Sequence, residues 1–266
     1  MSLTLNTGSE VRAQCRKGDF TSPTAGHAPG FVQANLVIVP AEFAYDFLLF
    51  CQRNPKPCPI LEVLDKGSPQ TSFIATDADL RTDLPKYRVY ESDKIVDEPN
   101  NINKYWRDDL VSFLLGCSFT FDRALRENGI PVRHEDEGRN VPMYRTNIPC
   151  KSAGVFQGPL VVSMRPMTAD FALQASRITG RFPRAHGSPV HQGDPSQIGI
   201  SNINRPDYGE SVTIHPNEIP VFWACGVTPQ AVAVASKIPF LITHSPGHMF
   251  VSDWTDNQLE GEEKVR

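Results

Sequence analysis

Nothing in this sequence is long and apolar enough to cross a bilayer. A membrane-spanning helix needs about 20 such residues, and apolar runs such as Val221–Cys225 and Ile238–Ile242 stop well short of that. A basic excess is missing too. Lys and Arg number 26 against 30 Asp and Glu, a formal net charge of −4, and no basic cluster is interleaved with aromatics, so nucleic acid is not an expected partner. The stretch Met1–Arg12 has neither a basic segment nor an apolar one, and no secretory leader is expected from it. Cysteine occurs six times, at 15, 51, 58, 117, 150 and 225, never in a C-x-x-C pair and too thinly spread for a disulfide framework. Reduced thiols in a cytoplasmic protein are the expectation.

What is present is a globular composition, 40% hydrophobic and 21% charged over 266 residues, enough for one large core or two smaller ones. Proline is frequent, and most of the 23 prolines stand at the starts of helical patterns or the edges of strand patterns. Residues 9–17 read as a short helix closed by Gly18. Phe31–Val39 reads as a strand, Pro40–Arg53 as a helix with Phe43, Phe47, Leu48 and Phe50 in one stripe, and Ile60–Leu64 as the next strand. Between about 70 and 140 the charge density rises and the strands shorten. Tyr87–Glu91 alternates like a strand, whereas Asp108–Leu115 and Phe119–Asn128 read as helices, and Arg133–Arg139 as a solvated charged loop.

Further on, Leu160–Met164, Ile219–Ala224 and Pro239–Thr243 read as strands separated by helices, and Met249–Asp253 as a final strand after the segment His244–His248. Thr168 opens one helix, and Thr228 followed by Pro229 reads as the cap and first residue of another. An acidic tail ends the chain. Strands alternating with helices predict an α/β fold: a mixed, partly parallel sheet with helices on both faces, plus a smaller α+β subdomain. The expected division is a main domain of residues 1–69 and 141–266, with 70–140 inserted.

Ligands of open α/β sheets bind beyond the carboxyl ends of strands, near free helix N-termini. Polar residues fall at three such ends: Arg165, the Cys225–Gly226–Thr228 turn, and His244 with His248. A fourth collection is the irregular stretch Arg181–Glu210, which holds His186, His191, Asp194, Asp207 and Glu210 among apolar anchors and reads as a pocket wall or a surface loop. Arg165 suits a carboxylate clamp or a plain salt bridge. Cys225 suits a small buried hydrophobe or a thiol activated by a helix N-terminus. The i, i+4 spacing of His244 and His248 is interrupted by Pro246 and Gly247, so no metal is assigned to them, and the spacing of His186, His191 and Asp194 is not diagnostic of one. Arg145 and Asn147 could meet a ligand or sit on an edge strand.

The segments Cys58–Val63, Thr82–Tyr90, Gly116–Phe121, Tyr144–Ile148, Gly158–Pro166, His186–Asp194, Pro220–Gln230 and Thr243–Phe250, in that order, resemble the "putative hydro-lyase" family, formerly a domain of unknown function. The chain is also similar to the N-terminal part of mitochondrial D-glutamate cyclase. The resemblance runs from about Arg12 to Trp254. It implies an α/β fold and removal of water from a small carboxylic or amino acid, with no cofactor assigned. On that basis His244 or His248 exchanges protons against Asp207 or Glu210. Arg165 and the Cys225–Thr228 turn hold the carboxylate, with Arg145, Asn147, His186, His191 and Asp194 around the substrate. The alternatives are a binding module without turnover and a metal-dependent hydrolase using His186, His191 and Asp194. A homodimer is a possible assembly.

Overall fold

The computed structural model describes residues 5–261; residues 1–4 of the stretch read for a leader, and 262–266 of the acidic tail, lie outside it. The elements are α1 (Gly8–Lys17), β1 (Phe31–Pro40), α2 (Ala41–Arg53), β2 (Ile60–Val63), β3 (Tyr87–Glu91), β4 (Lys94–Asp97), β5 (Leu110–Gly116), α3 (Phe119–Glu127), α4 (Arg133–Asp136), β6 (Met143–Pro149), β7 (Pro159–Met167), α5 (Ala169–Gly180), β8 (His191–Gln192), β9 (Ile219–Ala224), α6 (Val227–Ala235), β10 (Leu241–His244) and β11 (Phe250–Thr255). They form a seven-stranded sheet in the order β2-β5-β1-β10-β3-β4, with β11 also on β1, and a four-stranded sheet in the order β6-β7-β9-β8.

Every pairing in both sheets is antiparallel, which corrects the partly parallel sheet expected from the sequence. The reason lies in what fills the crossover. β1, α2 and β2 do make a strand–helix–strand unit, and β1 and β2 do run the same way, but β5 lies between them and opposes both. β5 is itself the segment that reads as a helix. Val111, Phe113 and Leu115 face one core cluster and Leu110 and Leu114 another, so both sides are apolar and the alternation that marks a strand vanishes. The second unit, β9–α6–β10, leaves one sheet and enters the other, so it pairs no parallel strands either. From residues 70–140 come β3, β4 and β5, all of them in the large sheet.

The central core lies where the large sheet meets α3, α5 and the inner face of the small one. Val32, Leu36 and Ile38 of β1, Phe121 and Leu125 of α3, Phe182, and Val221 and Trp223 of β9 are all buried there. On the outer face of the small sheet, Ile198 and Ile200 of the long irregular stretch, with Val212 just beyond it, pack on Tyr144, Val162 and Phe222. That stretch is therefore ordered by apolar burial.

Two local features set the positions of the β10–β11 turn and of α6. β1 changes partner along its length: β11 pairs Phe31–Ala34, and β10 pairs Val37 and Ile38. In the gap the ladder bond is replaced by a side chain, since His244 Nδ1 accepts the Leu36 N–H at 3.0 Å. The turn joining β10 to β11 therefore projects from the middle of β1. Second, α6 is not capped by Thr228, as its sequence suggests. Gly226 takes that place, and the Thr228 hydroxyl instead bridges the Val161 N–H and carbonyl of β7, at 3.0 and 3.1 Å.

Gly116 ends β5 where a Cβ would overlap the Arg184 carbonyl, and Gly226 opens α6 where a Cβ would overlap the Asn35 amide. Replacing Gly116 by Ala should lower stability by about 1–3 kcal/mol or more. Gly261→Ala, in open space, should be neutral. Chemical denaturation of both variants checks this, and equal midpoints would contradict the packing described.

Candidate functional site

The β10–β11 turn brings Pro246 and Gly247 against the loop before β1. Thr24 fixes that contact: its N–H donates to the Gly247 carbonyl at 2.8 Å, and its hydroxyl lies 2.7 Å from Gln33 Oε1 and accepts the Met249 N–H at 3.1 Å. Opposite stand Phe119 at the start of α3, His134 and Glu135 of α4, Gly138–Asn140, and Glu210. Together these residues enclose a cleft of about 490 Å³. A smaller lobe of about 200 Å³ shares Ala25, Gly26, Phe119 and Glu135 and reaches Gln33, Arg123 and Asp256. The larger lobe has the room for a small acid and the one histidine that lines either lobe from the buried side.

Beneath the cleft is a chain of buried charges. Arg165 on the inner face of β7 is fully buried over the rings of Phe121 and Trp223, at 4.9 and 5.4 Å. Its Nε and Nη2 donate to the two Asp122 oxygens at 2.7 and 2.8 Å, Nη1 donates to Ser163 at 3.1 Å and Nη2 to Ser118 at 3.3 Å. Asp122 Oδ2 in turn lies 3.8 Å from His134 Nε2. That nitrogen is buried and has no hydrogen-bond partner. Burial first, and the Arg165 charge second, push His134 down to about 3, so its imidazole is neutral at physiological pH. His134 lines the cleft, and its buried, unpartnered Nε2 faces the Asp122 carboxylate. Asp122, His134 and Glu135 also place ligand atoms within 4.8 Å of one another, the group of that kind found among the described residues.

Of the residues singled out in the sequence, Glu210 lines this cleft, and its carboxylate accepts the Asn140 N–H at 3.1 Å. Arg165 stands below it with every guanidinium nitrogen bonded, in a geometry that holds Asp122. Cys225 lies under Phe119 in a small apolar cluster, and burial pushes its thiol up to about 11. Gly226 touches Asn35. His248 is half-buried beside the cleft, its Nδ1 2.9 Å from the Pro246 carbonyl. His244 fills the β1 gap, 2.7 Å from the Gln230 amide, and burial pushes it down to about 3.

The rest are elsewhere. Asp207 accepts the Arg145 N–H at 2.8 Å, and the Arg145 side chain bonds Tyr208 on the exposed side of β6. Asn147 packs against Gly199. His191 bonds the Asp194 carbonyl at 2.8 Å beside Phe222, on the outer flank of the small sheet. His186 is buried, 2.8 Å from the Lys56 carbonyl. His186, His191 and Asp194 thus do not converge, so the metal set read from them is not assembled. The stretch 181–210 walls the cleft only at Glu210.

Asp122 and His134 are not conspicuous in the sequence, yet each leaves a signal there. Phe121, Asp122 and Leu125 share the buried side of α3, and a carboxylate there requires a partner. His134 is hidden in a run of charges that reads as solvated.

Breaking the Arg165–Asp122 pair strands a buried charge, so Asp122→Leu should destabilise by about 3–5 kcal/mol, and Asp122→Leu with Arg165→Met by clearly less. Additive losses in urea denaturation would contradict this. A second expectation concerns pH. His186 and His244 fold with pKa values lowered to about 4 and about 3, so between those values and about 6.5 the unfolded chain binds more protons. Stability is therefore complete above about pH 6.5 and falls below it, by up to ~1.4 kcal/mol per pH unit for each histidine. Denaturation midpoints unchanged between about pH 7 and 5 would contradict it.

Comparison with known proteins gives one family. The D-glutamate cyclase family matches residues 111–253, which include all of β5 but its first residue, and Asp122, His134, Arg165 and Glu210. A protein of Bacillus licheniformis named "Putative hydro-lyase" is 61% identical over 250 residues, covering 94% of this chain and 95% of that one. Relatives of the same name from Thermoanaerobacter sp. and Bordetella petrii are 59% and 56% identical, over 94% and 97% of this chain and 95% and 99% of theirs. No helix of the described residues is long and apolar enough to cross a membrane. On the match over residues 111–253 and the relatives aligned nearly end to end, the chain belongs to the D-glutamate cyclase family, among relatives named as hydro-lyases.

Proposed function

We propose that this protein removes water from a small carboxylic or amino acid held in the His134 cleft, with D-glutamate and its cyclised product 5-oxoproline as the pair to test first. One observation carries the reading: a buried imidazole nitrogen without a hydrogen-bond partner, beside a cleft of the right size, with a fixed carboxylate behind it. The family and the names of the relatives support it.

The chemistry rests on the order Arg165, Asp122, His134. Neutral His134 takes a proton from the substrate, from the amine in a cyclisation or from the carbon next to the carboxylate in an elimination. Its positive charge then meets Asp122, which Arg165 holds by both oxygens and keeps from turning away. In an elimination the imidazolium returns the proton to the departing hydroxyl, which leaves as water while the C=C bond forms; in a cyclisation the attacking ammonium gives up two protons in turn, and His134 passes both to the departing carboxylate oxygen, which leaves as water once the C–N bond is made. Hydrogen and oxygen thus depart together, and the ring is neutral again. Glu210 faces the same space and offers an acceptor to a substrate ammonium.

His134→Asn should cut turnover by roughly 100-fold or more with substrate binding largely kept. The assay is incubation of purified protein with a panel of hydroxy and amino acids, including D-glutamate and 5-oxoproline, followed by mass spectrometry for loss or gain of one water. Turnover unchanged in His134→Asn would remove His134 from the mechanism. A panel without change would turn the reading toward binding alone.

A further inference from the structure

We propose that Asp122, His134 and Glu135 bind a transition-metal dication of the zinc type, and that the bound ion switches off the proton transfer assigned to His134. The binding half stands on geometry alone, while the inhibitory half rests on the function proposed above.

The donor set is one imidazole nitrogen and two carboxylates, which suits zinc and its neighbours. Zinc sits about 2.0–2.2 Å from such atoms, so two ligands of one ion are at most about 4.3 Å apart. His134 Nε2 and Asp122 Oδ2, at 3.8 Å, already meet that limit. Glu135 comes within 4.8 Å and is exposed, so a turn of its side chain closes the remainder. It would leave Arg126, which it meets at 2.5 Å, but Arg126 keeps Asp136 at 2.9 Å. The independent sign of a ligand is His134 itself. The residue lines the cleft yet is buried to 4% exposure, and its Nε2 is buried and unpartnered on the side of Asp122; an unmade buried bond is costly.

Two features set the character of the site. Asp122 already serves Arg165 through both oxygens, and each carboxylate oxygen has a second lone pair for a metal. The nearby guanidinium opposes a second cation, so binding is weaker than at a structural zinc site and reversible. Magnesium and calcium need six or more oxygen ligands and gain little from an imidazole, so they are excluded. An ion on Nε2 occupies the lone pair that would accept the substrate proton.

Calorimetric titration of zinc chloride, and of magnesium chloride as control, into wild-type protein, Glu135→Ala and His134→Asn is the test. We expect one zinc per wild-type chain, at least ~10-fold weaker binding in either variant, and no magnesium binding. No saturable zinc binding, or equal binding in all three proteins because the ion sits on thiols elsewhere, overturns the site. In the turnover assay zinc should suppress wild-type activity, and at least ~10-fold more of it should be needed in Glu135→Ala, each protein compared with its own zinc-free rate. Zinc bound at Glu135 and His134 with turnover unaffected overturns the inhibitory half. If no panel member is turned over, the proposed function and the inhibitory half fail together while the calorimetry still decides the binding half. Circular dichroism of Glu135→Ala verifies that this exposed change leaves the fold intact.

Discussion

The ion pair of Arg165 and Asp122 is the constraint on which the arrangement turns. A guanidinium with none of its surface exposed, between Phe121 and Trp223, can be there only if its charge is met and its donors are used. Asp122 meets both demands, with Ser163 and Ser118 completing the shell. The pair spans β7 of the small sheet and α3, which comes directly after β5 of the large one, so it is also a joint between the two sheets. Hydrophobic side chains could fill that space at lower cost. A charged pair there costs stability and returns orientation: it leaves one carboxylate in a fixed attitude 3.8 Å from His134.

Much of the fold is legible in the sequence because its cues are local. α1, α2, α3 and α5 announce themselves by caps and amphipathic stripes, β1, β7, β9 and β11 by apolar runs between turns, and β3 by its alternation. Strand direction is not local. β1, α2 and β2 look like a parallel crossover, and nothing within them says that β5 will enter between. β5 is opaque for the opposite reason, since burial on both faces erases its period. Thr228 is a strong capping residue that bonds Val161 instead, because packing of α6 on β7 offers its hydroxyl a buried donor and acceptor.

The site is legible in part. Arg165, Glu210 and the His244–His248 turn stand out in the sequence, and each lies at or beside the cleft. The histidines of the stretch 181–210 lie away from it. His191 and Asp194 belong to an exposed flank, and His186 to a buried corner beside the Lys56 carbonyl. The two residues that carry the proposed chemistry look ordinary in sequence: an acid in a helix and a histidine in a charged run. What sets them apart is desolvation, which depends on β7 and α3 meeting across some forty residues of chain.

Nitrogen-resolved NMR of the histidine side chains, recorded while 5-oxoproline or D-glutamate is added, tests the central claim most directly. The account predicts that the His134 ring resonances move with saturation while those of His186 and His191 stay still. Ligand-dependent shifts confined to His191 or His186, with His134 unmoved, would contradict it.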